Sequence, residues 1–126
     1  MSVSQQGSLK LSGAVVDKKP GQIPGAWIAR VESQGTTVEL DVLREFDLFR
    51  EGSKVVVELS KSRPDFSAED FCAHGYLFSE KENNGKRVTL LSLYGLIVRF
   101  TTDDGLISSG KFSMMDHVYL CVRPSA

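Results

Sequence analysis

The stretch Leu93-Tyr94-Gly95-Leu96-Ile97-Val98-Arg99-Phe100 is an apolar run that predicts a β-strand. Continuous apolar runs of this length are typical of strands that are buried on both faces, or buried inward and covered outward by a partner. Arg99 is the one charged residue in the run. Because an unpaired buried charge is costly, its guanidinium must be solvated or paired. The run therefore predicts a docking surface rather than an active site.

The composition is that of a globular chain with a core of its own. The chain has 126 residues, of which 41% are hydrophobic and 25% are charged. Its formal net charge of -1 disfavours general nucleic-acid binding, which normally requires a basic excess. No apolar run reaches the ~20 residues of a transmembrane helix, and the first ten residues lack a signal-peptide core. We therefore expect an intracellular, cytoplasmic protein.

Alternating apolar residues and turn signals predict short strands along the whole chain. Hairpins are expected around Ser33-Gln34-Gly35 and Asn83-Asn84-Gly85, because these residue types favour tight turns. Loops are expected at Lys18–Gly25 and Lys61–Glu69, and a short connector at Leu43–Phe49. The predicted strands are Leu9–Asp17, Ala26–Glu32, Thr36–Val42, Lys54–Ser60, Asp70–Ser79, Arg87–Leu93, the opening run, and His117–Arg123.

A weak internal repeat indicates how these strands are arranged. The segment that starts at Gly13 matches the segment that starts at Gly75, and Val55-x-Val57-x-Leu59 matches Val118-x-Leu120-x-Val122 at nearly the same offset. About eight strands with almost no helix predict an antiparallel barrel or a sandwich, and two related halves favour a barrel. We expect one domain over residues 1–126, with halves at about 8–61 and 70–124 and a flexible segment at 1–7.

Four metal-ligating side chains fall on two of the predicted strands. Cys72 and His74 share a strand face, as do His117 and Cys121, so the four could converge. Strand spacing places successive ligands ~6–7 Å apart, unlike the tight loops that usually seat zinc. We expect buried thiols, with a disulfide and a metal as the less favoured alternatives, and we predict no metal and no cofactor.

The sequence offers little for catalysis. The carboxylates of Asp65, Glu69 and Asp70, and of Asp103 and Asp104, lie in predicted loops, where solvation and turn formation account for them. The hydroxyls of Ser108-Ser109 have no base nearby in the sequence, and no glycine-rich phosphate motif opens a helix. We therefore expect a noncatalytic protein.

Binding of single-stranded nucleic acid is the alternative function. Small barrels of the OB type bind single strands through exposed aromatic side chains and a basic groove. The other interpretation is that these aromatic side chains fill a barrel or cover a partner, and the net charge favours that interpretation. The candidate stacking residues are Trp27, Tyr76, Phe78, Tyr94 and Tyr119, with Lys18, Lys19, Arg30 and Arg99 as the candidate cations.

Three segments of the second half resemble a known family. They are Phe71-Cys72-Ala73-His74-Gly75-Tyr76-Leu77-Phe78, the run Leu93–Phe100, and His117-Val118-Tyr119-Leu120-Cys121-Val122-Arg123. In order and spacing they resemble the eighth common subunit of eukaryotic RNA polymerases and its counterpart in archaeal DNA-directed RNA polymerase, the G subunit. Tyr94-Gly95 replaces the double glycine of that family, and Ile97-Val98 replaces its Leu-Met. The chain lacks a long acidic insertion and so resembles the archaeal form.

The resemblance implies an eight-stranded antiparallel OB-like barrel built from two pseudo-symmetric halves. It further implies a noncatalytic subunit that docks on the largest subunit of RNA polymerase, supports assembly or stability, and meets nucleic acid only indirectly. Family members carry no ligand set at the positions of Cys72 and His74, which argues further against a metal. We predict that the partner-binding residues are Tyr76, Tyr94, Gly95, Leu96 and Arg99.

Overall fold

A computed structural model describes residues 7–22, 24–43, 49–93 and 95–125. Eight β-strands account for most of them, as alternating apolar residues predict. In chain order they are β1 (Ser8–Pro20), β2 (Ala26–Ser33), β3 (Thr36–Leu43), β4 (Lys54–Ser60), β5 (Phe71–Asn83), β6 (Lys86–Leu93), β7 (Leu96–Thr102) and β8 (His117–Pro124).

The strands form one closed antiparallel barrel in the order β1-β2-β3-β7-β6-β5-β8-β4, with β4 returning to β1. Every pairing is antiparallel, and closure removes the unpaired edges that an open sheet would expose. The predicted all-β barrel of eight strands is therefore confirmed. Alternate side chains fill its interior, as in β4, where Val55, Val57 and Leu59 are all buried.

The two predicted halves are visible in the backbone, at the spacing of the sequence repeat. β1 has a bulge between Val15 and Asp17, and β5 has one at the equivalent place, between Leu77 and Ser79. Before each bulge lies a glycine where the neighbouring strand comes very close. A Cβ on Gly13 would lie 2.4 Å from the carbonyl oxygen of Glu32, and one on Gly75 would overlap the backbone of Ser92.

A second pair of equivalent contacts confirms the relation between the halves. In the first half, Val15 N–H donates to Ser53 O and Gly52 N–H donates to Val15 O, both at 2.8 Å. In the second half, Leu77 N–H donates to Asp116 O at 3.1 Å and Met115 N–H donates to Leu77 O at 2.7 Å. The bonded positions correspond under the sequence repeat, so both halves close their bulged strand with the same local structure.

The structure corrects the interpretation of the opening run as one strand. Leu93 ends β6 and pairs with Leu96, the first residue of β7, so the chain reverses direction between these two residues, and Gly95 lies in the turn. Gly95 has φ of +110° in this turn, a conformation that residues with a Cβ rarely adopt. The apolar run is therefore the end of β6 and the start of β7 with a turn between them, and the apolar residues on both sides give no sequence signal for that turn.

Several predicted boundaries also change. Lys18–Pro20, predicted as loop, belongs to β1, and β5 continues beyond Ser79 to Asn83. The connector predicted at Leu43–Phe49 lies mostly outside the described residues, although Phe49 itself is buried in the core. Gly7 departs from the predicted flexible end, because it is buried and its backbone bonds Lys111 O and Lys61 N–H. The assignment of residues 1–126 to one domain stays a prediction.

Candidate docking surface

Arg99 lies on the outer side of β7 and is exposed. Its neighbours across the sheet are Glu39 on β3 and Leu90 on β6. Among the described residues, Arg99 forms no ion pair and no side-chain hydrogen bond. Water therefore solvates this guanidinium, and the barrel does not pair it. The charge in the apolar run is thus not a buried charge.

Gly95 and Arg99 line the same shallow cavity of about 240 Å³. The side chain of Asp41 faces this cavity, and its carboxylate accepts a hydrogen bond from Ile97 N–H at 3.1 Å. The residue pairing of β3 with β7 ends at Leu40 and Val98, and this hydrogen bond joins the two strands one residue beyond that pair. The cavity thus combines an apolar wall, one carboxylate and one guanidinium, and its size suits a partner side chain better than a substrate.

Tyr76 lies on the same outer surface as these residues. It pairs with Ser92 on β6, and Ser92 pairs with Ile97 on β7, so one row of outward side chains crosses three strands. Two strand spacings place Tyr76 roughly 10 Å from Ile97. Leu96, by contrast, is only half-exposed and packs against the core. Tyr94, the fifth predicted binding residue, lies outside the described residues.

Three exposed apolar residues extend this surface, although sequence analysis assigned them no partner-binding role. Phe78 is 39% exposed at the β5 bulge, and Met114 and Met115 are 50% and 58% exposed in the turn before β8. The backbone of Met115 bonds Leu77, which lies between Tyr76 and Phe78. We call the outward side chains of Tyr76, Phe78, Ile97, Arg99 and Met115 the second-half outer face.

Met115 has φ of +67°, in the left-handed region that side chains with a Cβ seldom occupy. The first half has Gly52, with φ of +90°, at the equivalent position. A glycine would therefore be the natural residue for this turn. The sequence contained a usable signal, because the spacing from Gly52 to Met115 equals the spacing from Val55 to Val118 in the repeat that relates β4 to β8.

Glu80 holds the segment that precedes this turn. Its carboxylate accepts hydrogen bonds from Thr89 Oγ1 at 2.7 Å, Ile107 N–H at 2.8 Å and Ser108 N–H at 2.9 Å, and from Ser108 Oγ. Partial burial raises the pKa of Glu80, but these hydrogen bonds outweigh the desolvation and leave the pKa below its ordinary value. The anchor ties the loop between β7 and β8 to β5 and β6.

The two cysteines are joined in a disulfide between β5 and β8, so the prediction of buried free thiols is wrong. Cys72 and Cys121 are direct cross-strand partners, a register that no sequence pattern revealed. The two histidines, for which the sequence left convergence open, do come together, because His74 Nδ1 lies 3.0 Å from His117 Nε2. No group of three or more His, Cys, Asp or Glu side chains in the described ranges is arranged to hold a metal ion.

Two of the carboxylates considered for catalysis, those of Asp70 and Asp103, take part in structural contacts. Asp70 accepts from Ser67 N–H at 3.0 Å and lies 3.4 Å from Arg123 Nε, and Asp103 pairs with Lys86 at 3.3 Å.

Of the aromatic residues considered for base stacking, Tyr76 and Phe78 are exposed, whereas Trp27 and Tyr119 are partly buried. Tyr76, Phe78, Met114 and Met115 are thus four of the six large apolar or aromatic side chains exposed in the described ranges, and the other two are Val16 on β1 and Phe66 in the loop between β4 and β5.

Fold and surface together define a small closed β-barrel whose candidate site is an outer face rather than a catalytic pocket. The chain matches, over residues 8–125, the model of the RpbG family, which is described as the G subunit of DNA-directed RNA polymerase. The chain belongs to this family. The resemblance seen over the second half is thereby confirmed over nearly the whole chain.

Two curated relatives have the same description, DNA-directed RNA polymerase subunit Rpo8. The protein from Sulfolobus acidocaldarius is 37% identical over 123 residues, which cover 96% of this chain and 98% of the relative. The protein from Saccharolobus solfataricus is 34% identical over 128 residues, covering 97% and 96%. These relatives are archaeal, as the resemblance implies, and the chain is a transcription protein of this polymerase family.

Among solved structures, the cytoplasmic molybdate-binding protein ModG matches with a TM-score of 0.37 and 17% identity, over 99% of this chain and 95% of that one. This similarity is too low to support an inference.

In the ranges that the structure describes, no helix has the length and hydropathy that a membrane span requires.

Proposed function

We propose that the protein is a noncatalytic, cytoplasmic subunit of archaeal RNA polymerase that docks on the largest subunit and supports assembly or stability of the enzyme. In this proposal its contact with nucleic acid is indirect. Membership of the RpbG family supports a place in the polymerase. The docking surface in this proposal is the second-half outer face, which includes Tyr76 and Arg99, two of the predicted partner-binding residues, and lies beside Gly95 and Leu96.

The difference between the two halves carries this proposal. Both halves build the same bulge and the same closing turn, but the first half closes its turn with Gly52 and the second with Met115. The barrel itself does not require an exposed methionine in a left-handed conformation, since Gly52 makes the same contact without one. Residues held in unfavourable backbone conformations cluster at functional sites. The methionine is therefore best explained by an interaction outside the barrel.

The chemistry of the face suits protein docking. Tyr76, Phe78 and Met115 supply aromatic and methionine side chains, which are enriched at the centres of protein interfaces. Methionine also adapts its shape to a partner, because its chain is unbranched and its sulfur is polarisable. Arg99 lies toward the rim, where a guanidinium forms strong charge-assisted hydrogen bonds to a carboxylate or carbonyl group. An apolar centre with a charged side chain at the rim agrees with the apolar core and polar rim of protein interfaces.

A charge reversal at Arg99 tests the docking surface. We expect Arg99→Glu to weaken binding to the isolated largest subunit by about tenfold or more, because it turns a rim cation into a repulsive anion. Binding is measured by titration of the largest subunit with the purified chain. The matched control is Lys19→Glu, which makes the same charge change on exposed β1 of the first half. Gly95→Val is unsuitable, since φ of +110° would strain any side chain there and disturb the fold itself.

The two variants give a clear decision. Loss of binding in Arg99→Glu with normal binding in Lys19→Glu supports the proposed face. Equal binding of both variants and wild type shows that the largest subunit is contacted elsewhere. A titration with single-stranded DNA at low and moderate salt tests the alternative, and tight binding with a steep salt dependence would favour a stand-alone OB-fold protein.

A further inference from the structure

The outer side of β5 and β8 brings two histidines into direct contact. His74 pairs with Tyr119 and His117 pairs with Tyr76, so the two imidazoles lie diagonally across the β5–β8 ladder. His74 Nδ1 and His117 Nε2 are 3.0 Å apart, and the ring centroids are separated by 5.1 Å. The nitrogen atoms therefore face one another at a single point on the protein surface.

This distance has a specific chemical meaning. A hydrogen bond between the rings requires one imidazole to donate an N–H and the other to accept it through the lone pair of an unprotonated nitrogen. Without the shared proton, both nitrogens present lone pairs toward the same space. With metal–nitrogen bonds of about 2.05 Å, nitrogens 3.0 Å apart subtend about 94° at an ion between them. That angle is close to the adjacent positions of a square-planar or tetragonal site.

Aromatic neighbours surround the two histidine rings, and one of the rings is open to solvent. The His117 ring lies 5.1 Å from the rings of both Tyr76 and Tyr119, and the His74 ring lies 5.8 Å from that of Tyr119. His74 is exposed, so an ion and its water ligands have access from solvent. The neighbouring sulfurs of Cys72 and Cys121 are bonded to each other and supply no thiolate while the disulfide is intact.

The first half shows that the barrel does not require this pair. The positions equivalent to His74 and His117 are Ser12 and Lys54, which occupy the same places in the β1–β4 ladder. Neither residue type can donate an imidazole nitrogen. Neighbours on one face of a single strand lie ~6–7 Å apart, whereas the diagonal contact across β5 and β8 brings two ring nitrogens within 3.0 Å. The arrangement therefore belongs to the second half alone.

We propose that His74 and His117 together bind one divalent transition-metal ion, copper or nickel in preference to zinc, with water in the remaining positions. The preference follows from the ligands and the angle, because imidazole suits all three ions and Cu²⁺ binds such sites most tightly. Binding uses the tautomer of each neutral ring whose facing nitrogen carries no hydrogen, so the proton of the hydrogen bond between the rings moves to the other nitrogen of its own ring. The site links β5 to β8, beginning two ladder positions from the disulfide, and is independent of docking on the polymerase.

Titration of the full-length, untagged, oxidised chain with Cu²⁺ tests the site. We expect one ion per chain, with an electron paramagnetic resonance spectrum that shows coupling to two imidazole nitrogens. We expect His74→Gln and His117→Gln each to weaken Cu²⁺ binding at least tenfold, since even residues that merely support a ligand change affinity roughly 10- to 100-fold. The matched control is Tyr119→Phe, which keeps an aromatic ring beside both histidines without altering an imidazole.

Each outcome decides the proposal. Loss of binding in both histidine variants, with wild-type affinity in Tyr119→Phe, supports it. Wild-type affinity in either histidine variant shows that the ion binds elsewhere, and failure of the wild-type chain to bind Cu²⁺ contradicts the proposal outright. Thermal unfolding of the metal-free variants, which we expect to match wild type, verifies that a loss of binding does not reflect a damaged barrel.

Discussion

The two halves of the barrel share one backbone plan but carry different side chains on their outer surfaces. The register position of Cys72 and Cys121 in the second half corresponds to Lys10 and Glu58 in the first. The turn that closes each bulge contains Met115 in one half and Gly52 in the other. Because the first half folds in the same way without these features, the comparison separates what the barrel requires from what has been added to it.

The largest expected loss of stability follows from removal of the disulfide. Among the described residues, only those of the second half form a disulfide. The bond joins residues 49 positions apart in the chain, and closing a loop of that size stabilises a protein by about 4 kcal/mol through the unfolded state. We expect the double variant Cys72→Ser/Cys121→Ser to lose about that much free energy of unfolding, measured by urea denaturation. Added reductant should lower wild-type stability by a similar amount and leave the variant unchanged.

The corresponding change in the first half is Lys10→Ser, which removes one exposed side chain from the equivalent ladder position. It should alter the free energy of unfolding by less than about 0.5 kcal/mol. If the double cysteine variant is as stable as this control, the bond contributes little, and the second half does not depend on it.

The next largest loss of stability is expected when the closing turn of the first half receives the residue found in the second half. Gly52→Met places in the first half the residue that the second half carries, at φ of +90°. A side chain in the left-handed region costs about 1–2 kcal/mol, so we expect a loss of that size in the free energy of unfolding. An unchanged stability would mean that these turns tolerate any residue, and the conformation of Met115 would then lose its significance.

A smaller effect, with a pH dependence, is expected at Glu80. Its pKa is lower in the folded state than in the unfolded chain, so its contribution to stability is complete above the unfolded pKa and disappears as the pH falls through the folded pKa. We expect Glu80→Gln to lower the free energy of unfolding by about 1 kcal/mol at pH 7. The difference from wild type should shrink below about pH 4.

Urea denaturation of wild type and Glu80→Gln at several pH values measures this difference directly. The isosteric amide keeps the size of the side chain, so the comparison reports on the charge and its hydrogen bonds. A difference that stays constant between pH 7 and pH 3 would show that the carboxylate does not anchor the loop through its ionised form.

The smallest change in stability is expected for Met115→Gly, which gives the second half the residue of the first. Relief of the left-handed conformation offsets the greater freedom that glycine has in the unfolded chain, so stability should stay within about 0.5 kcal/mol of wild type. Binding to the largest subunit should nevertheless fall. A variant that binds normally would remove Met115 from the docking surface.

Much of the fold could be predicted from the sequence, because repeat and turn chemistry are local signals. The matching offsets of the two repeated segments indicated two related halves, and Asn84 and Gly85 adopt the positive φ values that their turn requires. The β6–β7 turn at Gly95 was missed because apolar residues flank it on both sides. Nothing in the sequence near Gly95 supplies a second residue type that favours a turn.

The site was less predictable, because it depends on register and on residues in conformations unusual for their type. The disulfide and the contact between His74 and His117 follow from which residues of β5 and β8 are opposite each other, and alternation alone does not fix that pairing. Met115 occupies a conformation that its residue type does not predict. Arg99 could be predicted as a candidate binding residue from the sequence, because a charge within an apolar run needs a physical explanation whatever the register.

Oxidative footprinting of the chain, free and assembled into RNA polymerase, is the sharpest test of the proposed docking face, since hydroxyl radicals modify exposed methionine and aromatic side chains. We predict that modification of Tyr76, Phe78 and Met115 falls sharply on assembly, while that of Trp27 in the first half stays at its free level. Protection of Trp27 with undiminished modification of the other three would overturn the proposal, because the polymerase would then cover the half of the barrel that carries no added features.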